Sequence, residues 1–421
     1  MSASTPLHDV CIVGAGPAGA TCAWYLAGQG RRVLLLDKAR FPRDKLCGDA
    51  VCSRAQLHLE RMGVLQEVLA AGEGKWAEVG GFVSPRGLSF IGNSTEHTGR
   101  PVVIAIKRIA LDVRIARAAA RAGAELVEGA AVTEVEPGPE GWTVRCKGEA
   151  GGTYRARVLV LADGALSRIA RALGIVGTPP DAVCSRAYVR AGTTDFDHDG
   201  VVFYPPALLP GYCALFREAG DELNFGFYVI PGGRARLTDL RPLYEAVLRD
   251  DPHVRAALGP RAVMDGMRAA PLRLGGIPRS YGDHLLVLGD AAGQIDPLTG
   301  EGIQYAMDAA EIAADTLAEA FATGDLSARA LRRYHRGWMR AFGWDFAWSR
   351  RMAVAYTKFP VLLDAGAALA RRRGTAFLAE WAEVMTGARP KRSFLRPGLL
   401  AGLTRELAGQ CWSARVPTPA T

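Results

Sequence analysis

The sequence predicts an α/β fold: a doubly wound parallel-sheet domain, discontinuous along the chain, with an antiparallel β-sheet domain and a helical C-terminal region. Three observations predict it. Buried apolar strands that stop at a glycine or an acid recur at residues 8–14, 158–163 and 283–290. Residues 184–231 alternate apolar and polar side chains in the two-residue rhythm of an antiparallel sheet, and residues 78–106 are expected to add strands to it. From about residue 330 the pattern is helical, broken at Pro360, Gly366, Gly374 and Pro390. The split domain is therefore expected to comprise residues 1–77, 101–183 and 272–330. The sheet domain takes 78–100 and 184–271, and the helical region 331–421.

The first strand, HDVCIVG, runs into Gly14-Ala15-Gly16-Pro17-Ala18-Gly19, which fits G-x-G-x-x-G. A helical stretch and a second apolar strand, RRVLLLD, follow and end at Asp37. Each residue type has a physical reason. Gly14 permits the tight turn, Gly16 lets a pyrophosphate approach the backbone, Gly19 lets helix pack on strand, and the helix N-terminus attracts the negative charge. Asp37 is placed to accept hydrogen bonds from the adenosine ribose, with Lys38 beside it.

The second strand, ending at Asp163-Gly164, delivers another strand-end acid to the same crevice, and Ser167 and Arg168 open the next helix. The third runs into Gly289-Asp290 and a glycine-rich turn with a helix start at Gly300, Gly302 and Ile303. Asp290 can hold the hydroxyls of a ribityl chain. The bare N–H groups of the helix start can face the flavin edge where charge collects on reduction. In that order, the three segments identify FAD as the resident nucleotide of a Rossmann-like domain.

Composition bounds the alternatives. The chain has 421 residues, 49% hydrophobic and 22% charged, and its apolar runs are interrupted well short of the roughly 20 residues that cross a bilayer. The N-terminal residues show no secretory pattern, so a cytoplasmic location is expected. The eight cysteines include no Cys-x-x-Cys pair and no histidine at ligand spacing, so reduced thiols and no metal are expected. From Asp325 onward 17 Lys and Arg face 6 Asp and Glu, which more than accounts for the net charge of +8. Arginine pairs there alternate with Trp338, Phe342, Trp344, Phe346 and Trp348. Either the aromatics pack inward beneath solvated arginines, or the region touches an anionic membrane surface. No nucleic-acid module accompanies the charge, so no nucleic-acid partner is expected.

The segment FPRDKLCGD, residues 41–49, resembles the Pro-x-x-Lys-x-Cys-Gly segment of the geranylgeranyl reductase family, flavoproteins with the aromatic-hydroxylase fold. GDAAGQIDPLTGEGI, the stretch around Arg108, and VMTGARP extend the likeness over most of residues 8–400. The resemblance implies hydride transfer from reduced flavin N5 to carbon–carbon double bonds of a prenyl substrate. Lys45, Cys47, Gly48 and Arg108 then lie at the cofactor, and Cys47 and Tyr212 lie at the reacting centre, Cys47 as proton donor or gate. The family's Gly-Tyr-x-Trp-x-Phe-Pro segment is altered here to Gly211-Tyr212-Cys213-Ala214-Leu215-Phe216-Arg217, which replaces a large flat wall with a small one. That change keeps a flavin monooxygenase of a specialised metabolite open as the alternative, and a prenyl-lipid carrier with structural FAD as a more distant one. No second glycine fingerprint is present, so NADPH or NADH must bind transiently, or reduced ferredoxin must supply the electrons.

Overall fold

The computed structural model describes residues 6–413 except 94, 221, 231 and 233–239, with side chains as far as residue 409; Cys411 lies outside those side chains. The three signature strands come to lie side by side. Leu7–Val13 pairs in parallel with Gly152–Leu161 on one side and Val33–Asp37 on the other, and Gly152–Leu161 pairs in parallel with Leu285–Val287. Their carboxyl ends therefore share one edge, the place where a doubly wound sheet binds its ligand. Glu125–Glu128 extends this sheet beyond Val33–Asp37. A hairpin, Ala131–Gly138 with Gly141–Lys147, adds antiparallel strands to it.

Both faces of this sheet are covered, which explains its continuous apolar strands. Val10, Ile12 and Val158 pack against the helices Pro17–Gly28, Arg108–Arg121 and Ile303–Thr323, while Cys11, Leu159 and Leu161 pack against Trp142 and Val144 of the hairpin.

A second sheet has seven strands, in the order Arg268–Leu272, Ala182–Arg190, Glu222–Val229, Tyr212–Arg217, Gly200–Phe203, Val79–Val83, Ser89–Asn93. It is antiparallel except where Gly200–Phe203 meets Val79–Val83. Its outer face, with Val201, Leu215, Phe225 and Phe227, is capped by the helices Leu240–Asp250 and Pro252–Leu258. Val103–Ile106 does not join this sheet as the sequence suggested. It is the middle strand of a separate three-stranded sheet with Ala50–Cys52 and Gly74–Trp76, and all four of its residues are buried there.

The C-terminal region is helical, with breaks at Pro360 and Gly374 between Trp344–Lys358, Val361–Arg373 and Thr375–Met385. Gly366 does not break its helix. A glycine inside a helix costs only about 1 kcal/mol relative to alanine, and Leu363, Ala367 and Ala370 anchor that helix in the core. Trp338, Phe342 and Phe346 are buried and gather around Tyr305, with ring centroids 4.9 Å (Phe342) and 5.0 Å (Phe346) from it. Trp344, by contrast, is 67% exposed.

Candidate active site

The turn after the first strand is a cradle that side chains would destroy. Gly14 has φ +99°, and a Cβ there would stand 2.5 Å from the Ala162 carbonyl oxygen. A Cβ on Gly19 would stand 1.8 Å from the Gly14 carbonyl oxygen, so only glycine lets the helix Pro17–Gly28 seat on the strand. No side chain caps that helix, which leaves its first N–H groups open to an anion. Two arginines reach toward the same place, with Arg43 Nη2 and Arg108 Nη2 at 3.7 and 3.9 Å from where a Cβ of Gly16 would lie. Arg108 is buried and gripped by Asp112 at 2.6 and 2.7 Å, which holds it charged. Arg43 bridges Asp112 at 2.8 Å and Asp37 at 3.1 Å.

Of the residues the sequence nominates for cofactor and chemistry, all but Gly14, Gly19 and Asp37 line one cavity of about 490 Å³. Those three stand behind its wall. Asp37 is 5% exposed, and its carboxylate accepts from the Ala15 and Ala39 N–H groups at 3.0 and 2.9 Å and from Arg43. The cavity otherwise collects Gly16, Pro17, Ala18, Lys38, Lys45, Cys47, Gly48, Arg108, Asp163, Tyr212, Gly289, Asp290, Gly300, Gly302 and Ile303. Asp290 pairs with Lys45 at 2.8 Å; burial pushes its carboxyl up, but Lys45 and Arg108 outweigh burial and hold it below the ordinary carboxylate range. Asp163 Oδ1 is buried without a hydrogen-bond partner, and burial pushes that carboxyl up.

The Cys47 loop is pinned from below. Asp49 adopts a left-handed conformation, φ 57°, and its fully buried carboxylate accepts from Tyr188 Oη at 2.7 Å, Asn224 Nδ2 at 2.8 Å and the Arg108 N–H at 3.2 Å. Asn224 Nδ2 also donates to the Cys47 carbonyl oxygen at 3.2 Å. Burial pushes the Cys47 thiol up, so it stays protonated at neutral pH. Tyr212 donates its hydroxyl to the Thr299 carbonyl, and burial pushes its ionisation far up.

The inner face of the seven-stranded sheet forms the roof. Cross-strand pairing aligns Gly226, Ala214 and Val202 in one row, a low strip between Tyr228 and Tyr212 on one side and Asn224 and Phe216 on the other. Leu378, Trp381 and Met385 of the helix Thr375–Met385 close the cavity, with Trp381 stacked on Phe82 at 4.6 Å between centroids. A fully buried pair, Lys391 and Asp296 at 2.6 Å, joins this C-terminal wall to the glycine-rich turn.

Several of these residues escaped the sequence reading. Arg43 and Asp49 lie inside the very segment that carried the family resemblance, and Asp112 is one helical turn from Arg108, so local spacing could have found them. Asn224 reaches Cys47 and Asp49 across 177 and 175 residues, and Lys391 reaches Asp296, only in the folded chain; no local pattern marks Lys391.

The cradle, the open helix N-terminus, the two arginines above Gly16 and the unpartnered Asp163 oxygen fit a flavin dinucleotide. Arg43, Arg108 and the helix N-terminus would hold the diphosphate and Asp290 the ribityl chain. The fold and site thus define an FAD-binding flavoprotein, and the family model for the FAD binding domain matches residues 8–345. The chain belongs to that family. A conditioned medium factor receptor 1 of Dictyostelium discoideum is 51% identical over 96% of this chain and 82% of its own length. A menaquinone reductase of Mycobacterium tuberculosis is 32% identical over 84% of this chain and 85% of its own length. A digeranylgeranylglycerophospholipid reductase 1 of Methanopyrus kandleri is 31% identical, covering 82% and 89%. Among solved structures, a geranylgeranyl bacteriochlorophyll reductase-like protein of Thermoplasma acidophilum shares the fold, with TM-score 0.77, 19% identity, and coverage of 95% of this chain and 99% of that one. The chain is similar to geranylgeranyl reductase-type flavoproteins, as the Cys47 segment implied.

Proposed function

We propose that this protein is an FAD-dependent reductase of carbon–carbon double bonds in a hydrophobic, prenyl-bearing substrate. The observation that carries the reading is that one cavity joins the dinucleotide cradle to an apolar wall of Val202, Phe216, Leu378, Trp381 and Met385. The menaquinone and digeranylgeranylglycerophospholipid reductases among its relatives support it, since both names denote molecules with prenyl chains. Bound reduced flavin would supply the hydride, drawn from NADPH, NADH or reduced ferredoxin. The chain's own residues would do the rest. The apolar wall excludes water and fixes the alkene in place, which is where most of the rate enhancement for an unactivated bond must come from. Cys47, a neutral thiol on a pinned loop, and Tyr212, a neutral phenol tied to Thr299, present no charge to that alkene.

The low strip at Ala214 admits a bulkier group than a tryptophan there would allow. The C-terminal region contributes the second half of the reading. It exposes Trp344, Val354 and Phe359 among many arginines, a surface suited to peripheral contact with an anionic membrane where such substrates reside. Among the described residues no single helix is long and apolar enough to cross a membrane.

The test is to reduce the purified holoprotein anaerobically and offer geranylgeranyl lipids and a menaquinone. Reoxidation of the flavin without oxygen, with a product two hydrogens heavier, is the expected result. Flavin that stays reduced until air is admitted would instead place the protein with the monooxygenases.

A further inference from the structure

The reductase reading leaves one half-buried acid of the cavity unused. Glu301 lies between Gly300 and Gly302, in the turn that opens the helix Ile303–Thr323, and lines the cavity together with Cys52. Its Oε2 accepts from the Cys52 thiol at 3.1 Å, and its Oε1 accepts from the Gln304 N–H at 3.0 Å. No cation pairs with it among the described residues; the buried Lys391 is committed to Asp296 and Asp345. Tyr212, Tyr305 and Asp296 also lie within electrostatic reach of it. Burial and Asp296 push this carboxyl above the ordinary range, and the Gln304 and Cys52 hydrogen bonds only partly offset that.

We propose that Glu301 is the proton donor of this site, with Cys52 holding its conjugate base. The proposal rests on the reductase reading. Reduction of an alkene needs a hydride at one carbon and a proton at the other. The hydride, with its electron pair, comes from the reduced flavin. The Glu301 O–H bond breaks as the second C–H bond forms from the π pair of the substrate. The carboxylate left behind is stabilised by the Cys52 and Gln304 hydrogen bonds and regains its proton from water. Cys47 is the weaker candidate, because burial moves its thiol further from the acidity a donor needs at neutral pH, whereas the same burial brings a carboxyl toward it.

The experiment uses the holoprotein with a geranylgeranyl lipid as acceptor. Glu301→Gln should lower kcat by about 10²- to 10⁴-fold, the range general acids supply, with KM unchanged and flavin reduction by dithionite intact. Glu301→Asp, which keeps the acid, should retain more activity than the amide. Cys52→Ala removes a hydrogen bond that favours the carboxylate, so the alkaline limb of the rate profile should move to higher pH. Infrared difference spectra should show a protonated carboxyl at neutral pH in wild type, absent from Glu301→Gln. An active wild type with Glu301→Gln within threefold of it would overturn the proposal, as would a missing carboxyl band. If the wild type reduces no alkene, the reductase reading falls and the proton-donor role falls with it, while the band alone still reports whether Glu301 holds a proton.

Discussion

Replacing Lys391 by methionine would strip the one cation from a buried cluster that ties the last helices to the flavin turn. Lys391 Nζ lies 2.6 Å from Asp296 and 3.4 Å from Asp345, and the Lys391 and Asp296 side chains are both 0% exposed. Burial alone would push the ammonium down, but Asp296 outweighs it and keeps the lysine charged. Methionine fills similar space, so the cost is chiefly electrostatic: an unpaired buried carboxylate costs about 3–5 kcal/mol. Asp296 cannot simply turn away, because its Oδ1 accepts from the Leu298 and Thr299 N–H groups at 2.8 and 3.1 Å and its Oδ2 from Ser349 at 2.9 Å. The double variant Lys391→Met, Asp296→Asn removes the orphaned charge, keeps the Oδ1 acceptor and turns its amide toward Ser349. It should recover most of the loss, to within about 1 kcal/mol of wild type. Urea unfolding of the holoprotein, read by flavin and tryptophan fluorescence, measures both at constant slope. A single variant within 1 kcal/mol of wild type, or a double variant as unstable as the single, would refute the reasoning.

Other outcomes follow from the same geometry. Gly19→Val should abolish FAD retention while leaving the seven-stranded sheet folded, since the added carbons must force the helix off the strand; flavin absorbance after gel filtration checks it. Ala214→Trp should raise KM at least tenfold for an acceptor bulkier than a geranylgeranyl chain, with the flavin spectrum unchanged, because the indole fills the strip between Tyr212 and Phe216. Cys47→Ser should leave double-bond reduction within a few fold of wild type if the proton comes from elsewhere. For Asp290, the folded carboxyl sits below its unfolded value of about 3.9. Its contribution to stability is therefore present above about pH 4 and lost as the pH falls through the folded value. Lys45→Met should flatten that acid limb in urea titrations across about pH 2–5.

Much of this fold is legible in the sequence. The parallel sheet could be read because its strands are buried on both faces and end at glycine or acid, a local signal at Val13, Leu161 and Val287. The cavity residues came with them, since strand ends on one edge are neighbours by topology. Val103–Ile106 was misplaced because an apolar run of four carries no information about which sheet will pair with it. Asp37 is legible as a strand-end acid placed for a ribose, but its ion pair with Arg43 is not, because nothing in the spacing of the loop requires it. Lys391 reads as one more basic residue of a basic tail; only the fold reveals that it is buried, because burial there depends on Asp296, nearly 100 residues earlier.

The wall formed by Leu378, Trp381 and Met385 sets an order on biosynthesis. Translation delivers the glycine cradle about 350 residues before the closing helix, so a nascent chain carries an open half-site until Thr375–Met385 has been made. Premature stop codons before residue 375 would then yield chains that fold their sheets yet leave the ribosome without holding the yellow cofactor.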